Sequence, residues 1–254
     1  MKILASDLDG TLYFGEQNPT VKAQDFTAIQ EFQKEGNLFG ICSGRTLFGL
    51  NNALNGTGVH LDFYILASGS AIADENEKYI IQHTLSRDLI SRIVETLDSS
   101  LMTILFCHQN HYYSLGKKQQ KGHAKNIKHV MDAPDYAYES LHLGFDEDGT
   151  IIRQYRKILL EKFSDEIEVH HNINNLDITP KNCSKGHAIK QLAELYNVDY
   201  DDVYVIGDSY NDISMLEATQ NAFSFNRSPD EVKKHANYLV DDIAQAINII
   251  KKNQ

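Results

Sequence analysis

Short apolar runs that alternate with helical segments at both ends of the chain are the feature that most constrains its fold. Near the start, strands are predicted at residues 3–5, 37–42 and 61–67, and helices at residues 20–35 and in the segment "SGRTLFGLNNAL". Parallel strands need a crossover connection, which a helix usually provides. The alternation therefore predicts βαβ units and a parallel sheet.

The end of the chain has the same alternation, and the middle does not. Strands are predicted at residues 203–206 and 222–225 and in "NYLV", and helices at residues 184–196, 213–218 and 243–251 and after Pro229. Between them, β-rich pieces such as "LMTILFCH", "HYYSLG" and "IEVHHN" are mixed with helical stretches near residues 87–97 and 153–163. We therefore predict an α/β fold, with a discontinuous parallel-sheet core at residues 1–80 and 180–254 and an inserted α+β domain at residues 81–179.

The overall charge limits the partners of the chain. Its formal net charge of −11 argues against a nucleic-acid or anionic-membrane partner, but not against a small anionic ligand held by a metal ion or a lysine. No apolar run reaches membrane-spanning length, and the start does not resemble a secretory signal. Three widely spaced cysteines without metal-type pairing fit a reduced protein. We expect a cytoplasmic protein, present as a monomer or a homodimer.

Two carboxylates follow the first predicted strand, in "KILASDLDGTL". In an open parallel sheet, ligands bind beyond the carboxyl ends of the strands, and the alternate spacing of Asp7 and Asp9 lets both side chains face one pocket. Two neighbouring carboxylates repel each other unless a cation or a shared proton separates them. The sequence leaves two interpretations open, since Asp-Gly is also a common turn dipeptide.

A second acidic segment follows a later strand, in "VYVIGDSYND". Asp208 comes just after the apolar run, with Asn211 and Asp212 close behind. Two strands that both end in carboxylates would bring together a cluster of oxygen ligands, which suits magnesium. The alternative for Asp208 and Asp212 is capping of the short helix that follows.

Two further segments carry groups that bind anions. In "ICSGRT", Ser43 and Gly44 lie between a strand and a helix, where backbone N–H groups bind anions, although Ser43 could instead be an ordinary N-cap. In "NCSKGHAIK", Lys185 lies at a helix start, where the helix dipole disfavours a cation unless an anion is near.

These four segments, in this order, resemble the motifs of the haloacid dehalogenase-like hydrolases, and in particular their Cof-type phosphatases. "DLDGTL" is similar to the first motif, Ser43 to the second, Lys185 to the third and "GDSYND" to the fourth. The resemblance implies a Rossmann-like core, and an α+β cap domain inserted between the second and third motifs.

The resemblance also implies roles for the individual residues. Asp7 would be the nucleophile that forms an aspartyl-phosphate, with Asp9 as general acid and base and Lys185 as the neutralising cation. The expected phosphate-binding groups are Leu8, Ser43, Gly44, Lys185 and Asn211. Magnesium would be held by Asp7, the backbone carbonyl of Asp9 and Asp208, with Asp212 as support.

The implied function is a magnesium-dependent phosphatase acting on a small phosphorylated metabolite. A sugar phosphate is the first expectation, followed by pyridoxal phosphate or flavin mononucleotide. The alternatives are a phosphomutase and a regulator that binds phosphorylated ligands without turnover. One departure from the Cof-type pattern is "ASGSAI", where relatives usually carry Asn-Gly-Ala after the third strand.

Several features of the inserted domain allow two interpretations. The basic run "KKQQKGHAKNIKH" could meet an anion, or form a solvated helix or loop. The pairs His108 with His111 and His170 with His171 could bind a metal, or be surface or sheet residues. The tyrosines of this domain, including Tyr112, are expected to pack rather than to stack on bases.

Overall fold

The computed structural model of the chain describes residues 1–15, 20–109, 111–117, 124–136, 138–145, 149–172 and 174–252. Within these residues, the strands are β1 (Ile3–Ser6), β2 (Leu38–Cys42), β3 (Phe63–Leu66), β4 (Ala71–Asp74), β5 (Tyr79–Gln82), β6 (Met102–His108), β7 (His111–Gly116), β8 (Ala124–Asn126), β9 (Ser140–Phe145), β10 (Ile167–Asn172), β11 (Asn175–Pro180), β12 (Val203–Ile206), β13 (Ala222–Phe225) and β14 (Tyr238–Val240). The helices are α1 (Ala23–Lys34), α2 (Leu47–Leu54), α3 (Arg87–Val94), α4 (Gly149–Phe163), α5 (Lys185–Tyr196), α6 (Ile213–Leu216), α7 (Asp230–Lys233) and α8 (Ile243–Lys252).

The larger sheet of the described residues has the strand order β14-β13-β12-β1-β2-β3-β4-β5. The strands from β14 to β3 run parallel, whereas β4 and β5 are antiparallel additions at one edge. In the register of the central strands, Ser6 lies opposite both Ile41 and Ile206. The carboxyl ends of β1, β2 and β12 therefore meet at one edge of the sheet, as the sequence predicted.

Helices cover both faces of this sheet. Leu4 points to the face covered by α1 and α8, where it belongs to the same buried cluster as Phe32 and Ile247. Its neighbour Ile3 belongs to the cluster on the other face, with Leu192 of α5. Because successive strand residues point to opposite faces, a strand between two helical layers must be apolar throughout. This explains why the predicted core strands are unbroken apolar runs.

The smaller sheet has the order β10-β11-β9-β6-β7-β8 and belongs to the inserted α+β domain. One face packs on α3 and α4, where Leu141 and Leu143 of β9 join the buried cluster. The alternate residues of β9 and its neighbours are polar, and they point towards the larger domain. The inserted sheet therefore covers the carboxyl edge of the larger sheet with a polar surface.

The predicted fold class, a Rossmann-like core with an inserted α+β cap domain, is confirmed. The boundaries of the two domains stay a prediction; the chain leaves the larger sheet after Gln82 and the smaller sheet after Pro180. Among the described residues, none of the helices has the length and apolar character needed to cross a lipid bilayer.

Some local expectations differ from the structure. The antiparallel strands β4 and β5 were not predicted, because each is too short to show a clear period. Helix α2 begins at Leu47 and its N-cap is Thr46, whose side chain accepts a hydrogen bond from the Gly49 amide; Ser43 is therefore not the N-cap. In the basic run, residues 124–126 form the edge strand β8 rather than a helix or loop, and residues 118–123 lie outside the described residues.

Candidate active site

A cleft of about 340 Å³ lies between the carboxyl edge of the larger sheet and the polar face of the smaller one. The core side of this cleft contains the residues of the first, second and fourth sequence motifs. Its lining consists of Asp7, Asp9, Ser43, Gly44, Arg45, Asp208, Ser209 and Asn211 from the core, and His142, Asn172, Asn175 and Asp177 from the cap. The interdomain cleft thus brings together groups predicted from segments that are far apart in the chain.

At the floor of the cleft, Lys185 joins two carboxylates. Its Nζ donates to Asp7 Oδ1 and to Asp212 Oδ1, both at 2.6 Å, and the lysine is 1% exposed. The side chain is held there because Ser184 caps helix α5 and Lys185 opens its first turn. The anions inferred from the lysine's unfavourable position at a helix start are therefore these two aspartates.

Asp212 organises the loop after β12. Its Oδ2 accepts hydrogen bonds from the amides of Asp208 (2.9 Å) and Ser209 (3.0 Å), while its Oδ1 accepts from Lys185. Both oxygens are therefore occupied by protein donors. Asp212 also occupies the N-cap position of helix α6, but its side chain makes no capping hydrogen bond to that helix.

Asp208 lies close to the turn that follows Asp9. Its Oδ1 accepts a hydrogen bond from Thr11 Oγ1 at 3.3 Å, and a Cβ at Gly10 would lie 2.6 Å from its Oδ2. Gly10 has φ +85°, a conformation that side-chain-bearing residues rarely adopt. Glycine at this position therefore allows both the turn and the approach of the Asp208 carboxylate.

The charges at the floor of the cleft do not balance. Asp7, Asp208 and Asp212 have carboxylate oxygens that all lie within 4.8 Å of one another, whereas Lys185 is the cation that contacts two of them. Burial, and then the charge of Asp212, raise the pKa of Asp7 well above its usual range although Lys185 opposes them. The same two causes raise the pKa of Asp208 to about 6. A buried cluster of this kind is relieved by a cation or by protons.

These residues fit a magnesium ion. Magnesium prefers carboxylate and carbonyl oxygens, and the nearby donors are of this hard type. Asp7 and Asp208 line the cleft, while both oxygens of Asp212 accept hydrogen bonds from protein donors. The residues that could hold the ion are therefore Asp7 and Asp208 rather than Asp212.

The carboxylate of Asp9 is paired with Arg45, a residue that the sequence prediction missed. Arg45 Nη2 donates to Asp9 Oδ1 at 2.6 Å and Arg45 Nε donates to Asp9 Oδ2 at 2.8 Å, a two-pronged ion pair. This hydrogen bond is the main cause that raises the pKa of Arg45, against the effect of burial. The sequence position of Arg45 could have indicated that it belongs to the site, since Arg45 directly follows the predicted Ser43-Gly44 pair.

Ser43, Gly44 and Asn211, which were predicted to bind phosphate, line the same cleft as Asp7. Ser43 is buried, and its Oγ accepts from the Arg45 amide at 3.2 Å, which leaves its hydroxyl hydrogen to be donated. The amides of Leu8 and Gly44 donate to no group within the described part of the chain. Asn211 lines the same cleft. These donors therefore lie in or beside the cleft that Asp7 lines, where they could bind an anion.

The cap contributes polar groups that the sequence did not indicate. Asn172 Oδ1 accepts from Ser209 Oγ at 2.9 Å, so the tip of β10 contacts the loop after β12. Tyr112 on β7 forms a 2.5 Å hydrogen bond with Thr46 at the start of α2. These residues lie at alternate positions of cap strands, and without the sheet register nothing in the sequence shows which face they occupy.

The histidine pairs of the cap form no metal centre among the described residues. His108 stacks on Tyr136 with ring centroids 4.7 Å apart, and His170 Nε2 bonds Thr179 Oγ1 at 2.9 Å. Burial lowers the pKa of His170, which fits a neutral ring held inside the sheet. The structure supports the interpretation of these two histidines as sheet and packing residues.

The chain is similar to a known protein family over nearly its whole length. The model of the haloacid dehalogenase-like hydrolases matches residues 4–247. The chain belongs to the haloacid dehalogenase-like hydrolase family. The family predicted from the four sequence motifs is thereby confirmed.

Individual members of this family cover nearly the whole chain. It is 24% identical over 279 residues to the Bacillus subtilis 5-amino-6-(5-phospho-D-ribitylamino)uracil phosphatase YwtE, covering 94% of this chain and 92% of the relative. It is 25% identical over 247 residues to the Escherichia coli phosphatase of the same description, YbjI, covering 94% and 90%. The crystal structure of SMU.1108c from Streptococcus mutans superposes with a TM-score of 0.85 at 20% identity, covering 100% of this chain and 98% of the other. The fold of this hydrolase is thus that of its solved relatives.

Proposed function

We propose that this hydrolase is a magnesium-dependent phosphatase that releases phosphate from small phosphorylated metabolites through Asp7. The observation that carries the proposal is the convergence of Asp7, Lys185 and Asp208, which come from three distant segments, on one buried site. The names of the curated relatives, which describe phosphatases, agree with this activity.

In this proposal Asp7 is the nucleophile. Lys185 fixes Oδ1 of Asp7 at 2.6 Å, which leaves Oδ2 to attack phosphorus. A P–O bond to Oδ2 forms as the P–O bond to the leaving alcohol breaks, and the product is an aspartyl-phosphate. The amides of Leu8 and Gly44, the hydroxyl of Ser43 and the side chain of Asn211 hold the phosphoryl oxygens, since phosphoryl transfer depends mainly on positioning and charge neutralisation.

Asp9 supplies and removes the protons. It gives a proton to the oxygen of the departing alcohol, and then takes one from the water that attacks phosphorus and breaks the bond to Asp7. Since both oxygens of Asp9 are bonded to Arg45 in the structure, Asp9 must exchange at least one of these bonds for the substrate oxygen. Arg45 therefore holds Asp9 in place in the structure, and this ion pair must open before Asp9, in its protonated form, can donate to the leaving oxygen.

Magnesium would be held by Asp7, Asp208 and the backbone carbonyl of Asp9. When bound there, it would neutralise the negative charge that the substrate phosphate adds to the acidic cluster. Asp212 orients Lys185 and the loop of Asp208 through its own hydrogen bonds. In this proposal Asp7 and Asp208 bind the ion, whereas Asp212 positions the groups around them.

The experiment is a phosphate-release assay with p-nitrophenyl phosphate and a panel of sugar phosphates, with magnesium and with EDTA. We expect turnover with magnesium only, and a loss of at least about 1,000-fold in Asp7→Asn. Asp201→Asn is the matched control, because Asp201 is an exposed carboxylate of the same domain. Undiminished turnover by Asp7→Asn, or transfer of phosphate to a bisphosphorylated product, would refute the proposal.

A further inference from the structure

Residues 224–228, the β13 turn, contact both loops that are proposed to hold magnesium. Strand β13 pairs with β12, and β12 pairs with β1, so the carboxyl ends of the three strands lie side by side. Asp208 follows β12, and Asp9 follows β1. The proposed phosphoryl transfer assigns no role to the β13 turn.

Arg227 of this turn reaches the loop after β1. Neighbouring strands lie about 4.8 Å apart, so the side chain spans two strand spacings, about 10 Å. Arg227 Nη2 donates to the carbonyl oxygen of Gly10 at 2.5 Å, and Nη1 donates to the carbonyl oxygen of Asp241 at 3.4 Å. Burial lowers the pKa of Arg227, and the charge of Asp208 is the largest effect that opposes it, so the guanidinium is also near Asp208.

Two aromatic rings hold the guanidinium in this position. Its central carbon lies 3.7 Å from the ring centroid of Phe225 and 5.6 Å from that of Phe14. Phe225 is fully buried, and Phe14 lies in the loop after β1. An arginine over an aromatic face is attracted by the ring, and stacking restricts its movement. Although Arg227 keeps an exposed surface, its hydrogen bond to Gly10 therefore comes from a side chain with a defined position.

Two serines of the same turn hold the loop after β12. Ser224 Oγ donates to the carbonyl oxygen of Gly207 at 2.9 Å, and the hydroxyl oxygens of Ser224 and Ser228 are 3.0 Å apart. Ser228 Oγ also accepts from the Phe225 amide at 3.3 Å, and both serines are buried. Gly207 directly precedes Asp208, so these bonds fix the backbone from which the Asp208 carboxylate extends.

The two loops meet at Gly10. Asp208 Oδ1 accepts from Thr11 Oγ1 at 3.3 Å, and a Cβ at Gly10 would lie 2.6 Å from Asp208 Oδ2. Gly10 also follows Asp9, whose backbone carbonyl is a proposed magnesium ligand. A movement of either loop therefore changes the distance between this carbonyl and the Asp208 carboxylate. Magnesium demands near-ideal octahedral geometry, so its affinity should be sensitive to this distance.

We propose that the β13 turn positions the two magnesium-binding loops against each other, with Arg227 and Ser224 as the positioning residues. The inference rests on the proposed function, and it adds residues that are not among the described lining of the cleft. Arg227 holds the Gly10 carbonyl and Ser224 holds the Gly207 carbonyl, so the ligand atoms are in place before the ion binds. Groups that orient metal ligands in this way contribute about 10- to 100-fold to metal affinity.

The charge of Arg227 separates positioning from electrostatics. A cation near Asp208 repels magnesium, so removal of the charge alone would strengthen magnesium binding. Loss of the contact to Gly10 would weaken it. Arg227→Met removes both, and positioning requires a net increase of the magnesium dissociation constant, by about threefold or more. Ser224→Ala removes a neutral donor, so the dissociation constant should rise by about tenfold with no opposing effect.

The experiment follows the melting temperature of the whole protein by circular dichroism, in EDTA and at increasing magnesium concentrations. The magnesium dependence gives the dissociation constant, while the melting temperature in EDTA gives the stability of each variant without the ion. Asp208→Asn, which removes a proposed ligand, defines the part of the rise that comes from this site. Arg156→Met is the matched control, because Arg156 is an exposed arginine of the cap, and its dissociation constant should equal that of the wild type.

A dissociation constant that is unchanged in Arg227→Met and Ser224→Ala, or one that is lower in Arg227→Met, would overturn the inference and leave the proposed function standing. A lower melting temperature in EDTA without a change of the dissociation constant would also overturn it, because the turn would then be only structural. If magnesium did not stabilise the wild type, and turnover were the same in EDTA, the magnesium dependence in the proposed function would fall together with this inference.

Discussion

Replacing Lys185 with methionine tests whether this lysine neutralises the buried carboxylates. The ammonium is 1% exposed and donates to Asp7 and Asp212 at 2.6 Å each, while the Asp212 side chain has no exposed surface. Removing one member of a buried ion cluster costs about 3–5 kcal/mol, because the remaining charges lose their partner. For a domain of this size, we expect the melting temperature in EDTA to fall by roughly 6–20 °C.

The stability lost in Lys185→Met should also depend on pH. Lys185 lowers the pKa of Asp7 against burial and the charge of Asp212, so its loss raises that pKa further. A carboxyl group whose pKa is higher in the folded than in the unfolded state loses stability as pH rises between the two values. The difference in melting temperature between variant and wild type should therefore be larger at pH 9 than at pH 6, and magnesium should reduce this difference.

The assay is thermal unfolding followed by circular dichroism in EDTA at both pH values. Lys190→Met is the matched control, since Lys190 is exposed on the same helix, and it should melt close to the wild type. A fall of less than about 2 °C in Lys185→Met, or a gap that does not widen with pH, would refute the reasoning.

Three other substitutions test single contacts. Asp9→Asn should lower kcat/KM, which reports formation of the aspartyl-phosphate, at least about 100-fold for alkyl phosphates but less than about tenfold for p-nitrophenyl phosphate, whose leaving group needs no proton; equal losses of kcat/KM would exclude proton donation. Gly10→Ala should raise the magnesium concentration for half-maximal activity about tenfold, because a Cβ would lie 2.6 Å from Asp208 Oδ2; an unchanged magnesium titration would contradict this. Tyr112→Phe removes the hydrogen bond to Thr46 and should raise KM by about three- to tenfold at nearly constant kcat; an unaltered KM would show that this contact does not hold the cap.

The core of the fold was predictable because its signals are local. A strand covered on both faces must be apolar along its length, and β12 at Val203–Ile206 has the predicted bounds. Strands β4 and β5 escaped prediction because the pairing of β4 with β3 and of β5 with β4, rather than a pattern of their own, makes them strands. The helix predicted in "SGRTLFGLNNAL" begins later than Ser43, because the fold uses Thr46 as its N-cap.

The candidate site was also predictable only in part. Asp7, Ser43 and Asp208 could be placed together from sequence, because parallel strands deliver their carboxyl ends to one edge whatever their separation in the chain. Lys185, which opens helix α5 after a cap strand, was placed with them through the resemblance to the third motif. The hydrogen-bond and ion-pair partners in the site could not be predicted. The ion pair between Asp9 and Arg45, for example, depends on side-chain directions after the turn.

The sequence by itself therefore determined the parallel core, the motif residues at its carboxyl edge and the presence of an inserted domain. The tertiary structure decided which carboxylates share Lys185, and that His142 and Asp177 face the cleft. The reason is that a shift of one residue in the register of β9 or β11 would turn these side chains to the opposite face. That register is set by contacts across the whole cap sheet, which no local pattern contains.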